Sequence, residues 1–314
     1  MENFLYSLNA TLPIFLMILL GKALIRFHII DEHFTKVTDK YVFTVGLPVL
    51  VFKDLTEHDI RSSFQGGYVL FCFFSTLIII LGIWGLTELF MKEESEKGAF
   101  IQASYRSSAA ILGLAFINNM YSSSGMAPLM IIGAVPLYNI FAVVILTLKG
   151  KQDSGSSFTL GETIIHVFKN PILIAIFISL PFAFLNIHFP VFINKAVDSI
   201  AATATPLALI SIGATFEGRK AIRKIKPAAI ASFIKLILLA ALFLPIAIYL
   251  GYRNQELMAV LIMLASPSTV SCYIMAKNTG NDSVLTSSII VLTTLFSSVT
   301  LTGWIFLLHS LHFL

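Results

Sequence analysis

The sequence predicts an all-α integral membrane protein with ten transmembrane helices, arranged as two inverted five-helix repeats. Three observations predict it. Of the 314 residues, 57% are hydrophobic and only 12% charged, about half the charge that covers a soluble domain. The apolar residues gather into ten runs, each long enough to cross a hydrocarbon core about 30 Å thick. Finally, Pro13/Pro171, Pro48/Pro206 and Asn119/Asn278 are separated by 158, 158 and 159 residues, a nearly constant offset between two halves.

The ten runs cover roughly 5–27, 34–53, 67–90, 98–120, 126–148, 164–188, 190–216, 227–250, 255–277 and 283–308. The first resembles the core of a signal peptide, but Glu2 precedes it and Lys22 and Arg26 follow it. That order fits a retained helix with its amino end outside. Threading the remaining runs from there places fifteen Lys and Arg residues on the cytoplasmic side and four outside, with Arg106 and Lys235 inside runs. By the positive-inside rule both termini are then non-cytoplasmic. The net charge of +4 is spread over loops, as is usual for membrane proteins, and calls for no nucleic acid. Cys72 and Cys272 both fall in apolar runs, so neither a disulfide framework nor a metal site is implied.

Longer echoes follow the same offset. "LPIFLMILLG" at Leu12 matches "NPILIAIFIS" at Asn170, "KVTDKYVFTVGLPVLVF" at Lys36 matches "KAVDSIAATATPLALI" at Lys195, and "FINNMYSSSG" and "MAKNTGNDSV" end corresponding runs. Residues 1–148 form the first repeat and 164–314 the second, joined by the polar linker 149–163, which begins "KGKQDSGSSFTLGE". Five spans per half is an odd number, so the second half is upside down relative to the first. Inverted repeats are the signature of secondary transporters, whose sites lie near the bilayer midplane on interrupted helices. The fourth and ninth runs are the candidates. "SYRSSAAILG" and "LASPSTVSCY" are rich in small and hydroxyl residues, and Pro267 removes a backbone donor. Pro48 and Pro206 mark further expected breaks. Half-helix amino ends at such a crossing would direct partial positive charge at an anion.

"LPVLVF" at Leu47, "NPILIAI" at Asn170, "ATPLALISIGATF" at Ala204, "KLILLAALFLPI" at Lys235 and "ASPSTVSCYIMAKNTGND" at Ala265 together resemble the auxin efflux carrier family over essentially the whole chain. The resemblance implies a scaffold of spans 1, 2, 6 and 7 and a transport part of spans 3–5 and 8–10. It further implies carriage of organic anions, among them auxins, malate and malonate, and it brings the possibility of a homodimer. With its short linker the chain is similar to the compact bacterial members. It departs from the family in the fourth run. Ser107 and Ser108 stand where many members have an asparagine nearby, and Ala115 replaces a proline, leaving Gly113 and the two serines to loosen that helix.

Arg106 is the leading site residue, because a guanidinium matches a carboxylate bidentately. An arginine at the centre of a membrane helix costs about 2.5–3.5 kcal/mol on insertion scales. Three arrangements would offset that: contact with a ligand or ion pathway, snorkelling toward the "KEESEK" end, or an internal partner. Lys235 poses the same choice between function and snorkelling. Asp39 and Asp198 are repeat-related, and are either proton-handling groups or helix-end residues paired with Lys36 or Lys195. Ser107, Ser108, Ser266, Pro267, Ser268 and Thr269 line the expected crossing and either meet substrate or bond backbone. Tyr138 and Asn139 in "VPLYNIF" offer a polar handle or simply pack around Pro136.

No phosphate loop, HExxH helix or Gly-x-Ser-x-Gly elbow occurs, so no enzyme, cofactor or ATP drive is expected. The expected protein is a secondary carrier in the cell membrane for a small organic anion, a mono- or dicarboxylate such as malate, malonate or an auxin-like acid, working by alternating access. The alternatives are a channel, or a sensor or lipid-binding protein on the same fold. The expected midplane offers hydroxyls but no acidic side chain. That argues against a sodium site built from carboxylates and leaves proton coupling or movement down the anion's own gradient.

Overall fold

The computed structural model describes residues 2–56, 65–109, 126–150, 169–185, 187, 189–216 and 218–314, and every regular element among them is helical. Among the described residues, five helical rods are long and apolar enough to cross a membrane by length and composition: Gly66–Phe90, Ala127–Lys149, Val191–Thr215, Ile225–Tyr249 (which contains a π turn) and Ser283–Ser310.

In chain order the elements are α1 (Glu2–Arg26), α2 (Glu32–Tyr41), a π-helical turn at Val42–Gly46, and α3 (Leu47–Thr56). Then come α4 (Gly66–Phe90), α5 (Glu94–Tyr105), α6 (Ala127–Lys149), α7 (Pro171–Leu185), α8 (Val191–Thr215) and α9 (Gly218–Arg223). The chain closes with α10 (Ile225–Phe233), a π turn at Ile234–Leu238, α11 (Leu239–Tyr249), α12 (Asn254–Ala265), α13 (Ser271–Asn278) and α14 (Ser283–Ser310).

Local chemistry sets several starts. Asp31 caps α2 by accepting from Phe34 N at 2.7 Å, and Asp282 caps α14 by accepting from Leu285 N at 2.8 Å. Asn170 Oδ1 accepts from Ile172 N at 2.9 Å, just before Pro171 opens α7. The bilayer-type surface is equally plain on α4, where Leu70, Phe74, Ile78 and Leu81 are all exposed.

Two of the expected breaks do not occur. Pro206 lies inside the continuous α8. Pro48 sits near the start of α3, and the rod passes it through the π turn, in which Leu47 N bonds Val42 O, five residues back. Widening one turn absorbs the amide donor that proline lacks, so the chain bends without unwinding. Gly113, and with it Asn119 and Ala115, lies outside the described residues.

The helices pack as two groups. One gathers α1, α2, α3, α7 and α8, and its tightest seam is α1 against α8. A Cβ on Gly21 would stand 2.2 Å from Ile210 O, and one on Gly213 would stand 1.9 Å from Ile18 O, so only glycine fits at either place. The other gathers α4, α5, α6, α11 and α12 around one continuous apolar core. The short helix α13 contributes Cys272, Tyr273, Ile274, Met275 and Ala276 to the core of the first group while following directly on α12 of the second. The groups therefore meet where α13, after the interruption that ends α12, packs against the first group.

Candidate functional site

Two helix ends meet at that join. The helix α5 stops at Tyr105, its last bond running from Arg106 N to Gln102 O, and Arg106 to Ser108 leave the helical path. The helix α12 stops at Ala265, and α13 starts only at Ser271, beyond Pro267. Each end leaves carbonyls without an intrahelical donor, and hydrogen bonds between the two interruptions tie the ends together. Ser107 Oγ donates to Ile262 O at 3.1 Å, and Ser268 Oγ donates to Ala103 O at 2.5 Å. Ser108 N donates to Pro267 O at 3.0 Å, and the hydroxyls of Ser107 and Ser266 are in contact. Serine is suited to this duty because its hydroxyl bonds backbone groups at short range.

Two carbonyls at the end of α12, those of Met263 and Leu264, are met from other helices. Lys235 Nζ donates to Leu264 O at 2.9 Å and to Met263 O at 3.2 Å, and Tyr138 Oη also donates to Met263 O at 3.2 Å. Lys235 is fully buried, in the π turn between α10 and α11. It does not snorkel. A lysine amine at a helix carboxyl end meets both the unpaired carbonyls and the negative pole of the helix dipole. Burial thus excludes snorkelling for Lys235, whose amine caps a broken helix.

Arg106 is also internal, only 4% exposed. Its terminal nitrogens donate to Asn139 Oδ1 at 2.8 Å and Ser271 Oγ at 3.1 Å, and stand 2.6 Å from Met275 Sδ, a weak acceptor. Among the described residues no carboxylate lies within ion-pair distance, and Arg106 Nε is buried without an acceptor. Snorkelling toward the α5 amino end is excluded by this burial. Among the described residues the guanidinium therefore sits with neutral acceptors. Asn139 is itself oriented by Nδ2 donating to Val135 O at 3.0 Å.

These groups open onto one cavity of about 60 Å³. A single water needs roughly 10–15 Å³ on a comparable measure, so the space suits a few waters or a small carboxylate. Arg106, Ser107, Ser108, Tyr138, Asn139 and Thr269 line it, all read from the sequence, together with Ser271, which was not. Ser266, Pro267 and Ser268 stand behind it in the crossing. The opposite wall comes from the first helix group, through Leu47, Leu50, Val51 and Asp54 of α3 and Ile172 of α7. Asp54 corrects the expectation that no acidic side chain reaches the site. Its signal was present in the sequence, since positions 47, 50, 51 and 54 share one helical face. The buried Gln102, which donates to Cys272 O at 2.9 Å across the crossing, was also missed.

The two repeat-related aspartates are not equivalent. Asp39 is buried, accepts from Ser211 at 2.5 Å and lies 2.5 Å from Lys277 Nζ, which also donates to Tyr273 Oη at 3.0 Å. Asp198 is half exposed and pairs with Lys53 at 2.9 Å. The expected partners Lys36 and Lys195 are replaced in both cases, because neighbours from other helices come closer than residues one turn away. Neither aspartate lines the cavity.

Comparison with known proteins agrees with this architecture. The profile of the family described as "Membrane transport protein" matches residues 6–305. A protein of Rhizobium meliloti (strain 1021) named "Putative malonate transporter" is 23% identical over 290 residues, which cover 86% of each chain. An uncharacterized transporter of Methanocaldococcus jannaschii is 22% identical over 319 residues, 96% of this chain and 99% of its own. A family match over nearly the whole length, on an all-helical chain with several apolar spans, settles the class: this chain belongs to the auxin efflux carrier family of membrane transport proteins.

Proposed function

We propose that the protein is a secondary carrier for a small organic anion bearing a carboxylate, and that Arg106 receives that carboxylate at the crossing of the interrupted helices. The observation that carries this reading is the buried guanidinium on the cavity wall, bonded among the described residues to neutral acceptors. A carboxylate entering the cavity displaces Ser271 or Asn139 and forms the stronger charge-assisted pair. The hydroxyls of Thr269 and Ser271, at the amino end of α13, supply further donors where the helix dipole favours negative charge. The size of the cavity favours a small mono- or dicarboxylate over an indole acid, and the relative named for malonate is consistent with that class.

The mechanism we propose has ten spans in two inverted repeats, 1–148 and 164–314, joined by the cytoplasmic linker 149–163, with both termini outside. The scaffold is α1, α2, α3, α7 and α8. The remaining helices rock or slide against it as the transport part, carrying the crossing from one face of the membrane to the other. The Asp39–Lys277 pair, with Ser211, Tyr273 and Thr215, ties α2 and α8 to α13 in the present arrangement and must part for that movement. Asp54 faces the same cavity as Arg106. In proton-coupled uptake Asp54 joins Asp39 and Asp198 as a carboxyl that would carry the proton.

Purified protein in liposomes tests the proposal. Saturable uptake of a labelled small carboxylate, accelerated by unlabelled substrate on the far side, supports a carrier. Ligand-induced thermal stabilisation with no flux would point to a sensor instead.

A further inference from the structure

A second cavity, away from the crossing, separates α4 from the rod formed by α10 and α11, and it measures about 740 Å³. On α4 its wall runs from Ile78 to Met91, about 20 Å of helix at 1.5 Å per residue. That is somewhat more than one leaflet, about 15 Å, of a hydrocarbon core about 30 Å thick. The facing wall presents Ile230, Leu238 and Leu242, and is apolar throughout that stretch. Polar residues are confined mainly to one end, where Lys92, Glu93, Glu96 and Lys226 border the cavity. This end lies just past the end of α4 and at the start of α10, where apolar helices give way to charged chain.

The charges at that mouth are not all spoken for. Glu96 is engaged by Lys224 at 2.5 Å, and Lys224 also holds Asp282 at 3.0 Å. Lys92, Lys226 and Glu93 are exposed, and none of them is in an ion pair among the described residues. Two cations and one anion at the mouth of an apolar groove complement a phosphate and an ammonium linked to acyl chains. A phosphatidylglycerol head would satisfy the lysines but offer Glu93 no cation. A helix from a second copy of the chain would fill the groove but leave both lysines without an anion.

We propose that the α4–α10/α11 groove is a binding site for one bilayer phosphatidylethanolamine, with an acyl chain between the helices, its phosphate between Lys92 and Lys226, and its ammonium at Glu93. The site stands on the groove and its mouth alone and does not depend on Arg106 or on the identity of the transported anion. Gly82 provides a clean way to fill it. It lines the groove, and a Cβ built on it meets nothing within 4 Å, so a larger side chain enters the space without moving backbone.

Native mass spectrometry and thermal melting of the full chain, with phosphatidylethanolamine or phosphatidylglycerol titrated into detergent, test the site. The expected result is a single retained phosphatidylethanolamine with a raised melting temperature and weaker retention of phosphatidylglycerol. Lys92→Gln with Lys226→Gln should weaken retention roughly thirty-fold. Gly82→Phe should abolish it while leaving the lipid-free melting temperature unchanged, and Ile230→Trp serves as a second filling variant. Retention of the lipid in both filling variants would overturn the site. Equal retention of phosphatidylglycerol would overturn the assigned head group, and a lipid-free dimer that Gly82→Phe dissociates would give the groove to a second copy.

Discussion

Arg106 and Lys235 are two buried cations with different duties, and single substitutions separate them. Arg106 bonds side chains on a cavity wall, so Arg106→Ala removes charge from the site without exposing helix carbonyls. The expected outcome is loss of at least about ten-fold in carboxylate uptake, with the melting temperature held within a few degrees. Normal uptake in that variant would remove Arg106 from substrate binding. Lys235 bonds the carbonyls of Met263 and Leu264 at the end of α12. Lys235→Met leaves the carbonyl of Leu264 without its donor, and should lower stability by about 1–3 kcal/mol in a denaturation measurement. Asp54→Asn addresses coupling. It mimics the protonated carboxyl permanently, so uptake should persist and lose its response to an imposed pH gradient.

At the scale of helices, the close seam between α1 and α8 makes a strong stability prediction. Gly213→Val would place side-chain atoms into the backbone at Ile18, and the helices must separate to admit them. Cell-free insertion followed by melting should show a loss of more than about 2 kcal/mol, whereas Gly82→Ala, in open space, should show almost none. A cluster of charges anchors α5 to α4 and α6: Lys97 bonds Glu88 at 2.9 Å and contacts Glu94, and Lys149 bonds Glu88 at 2.6 Å. The hydrogen bond from Lys97 holds the Glu94 carboxyl below its ordinary range. That contribution is present above the ordinary carboxylate pKa and is lost only as pH falls through the lowered value. Lys97→Gln should therefore leave melting less sensitive to strongly acidic pH.

For the whole molecule, the decisive question is whether one helix group moves against the other. The hydroxyls of Thr215 on α8 and Tyr273 on α13 are 2.6 Å apart across that boundary. In a background with Cys72 and Cys272 replaced, Thr215→Cys with Tyr273→Cys joined by a short cleavable bis-thiol reagent should abolish flux. Cleaving the linker should restore it, while ligand-induced stabilisation should survive in the joined form. Flux that continues through the joined protein would rule out movement at this boundary.

The sequence by itself determined the class of molecule, because the excess of apolar over charged residues and the length of the runs leave few other ways to bury so much hydrocarbon. It also marked the Pro267 region and Arg106, since a proline and a guanidinium are conspicuous inside greasy segments. It read Pro48 and Pro206 as breaks, although a proline dictates only a missing donor. Whether the helix then unwinds, widens into a π turn or simply bends is decided by what packs around it. The cap supplied by Lys235, the pairing of Asp39 with Lys277 and the shared cavity of Asp54 and Arg106 join residues dozens to hundreds of positions apart. No periodicity records such contacts. They exist only once the two helix groups close on each other, and burial then makes unpaired carbonyls and charges find partners wherever the fold has brought them.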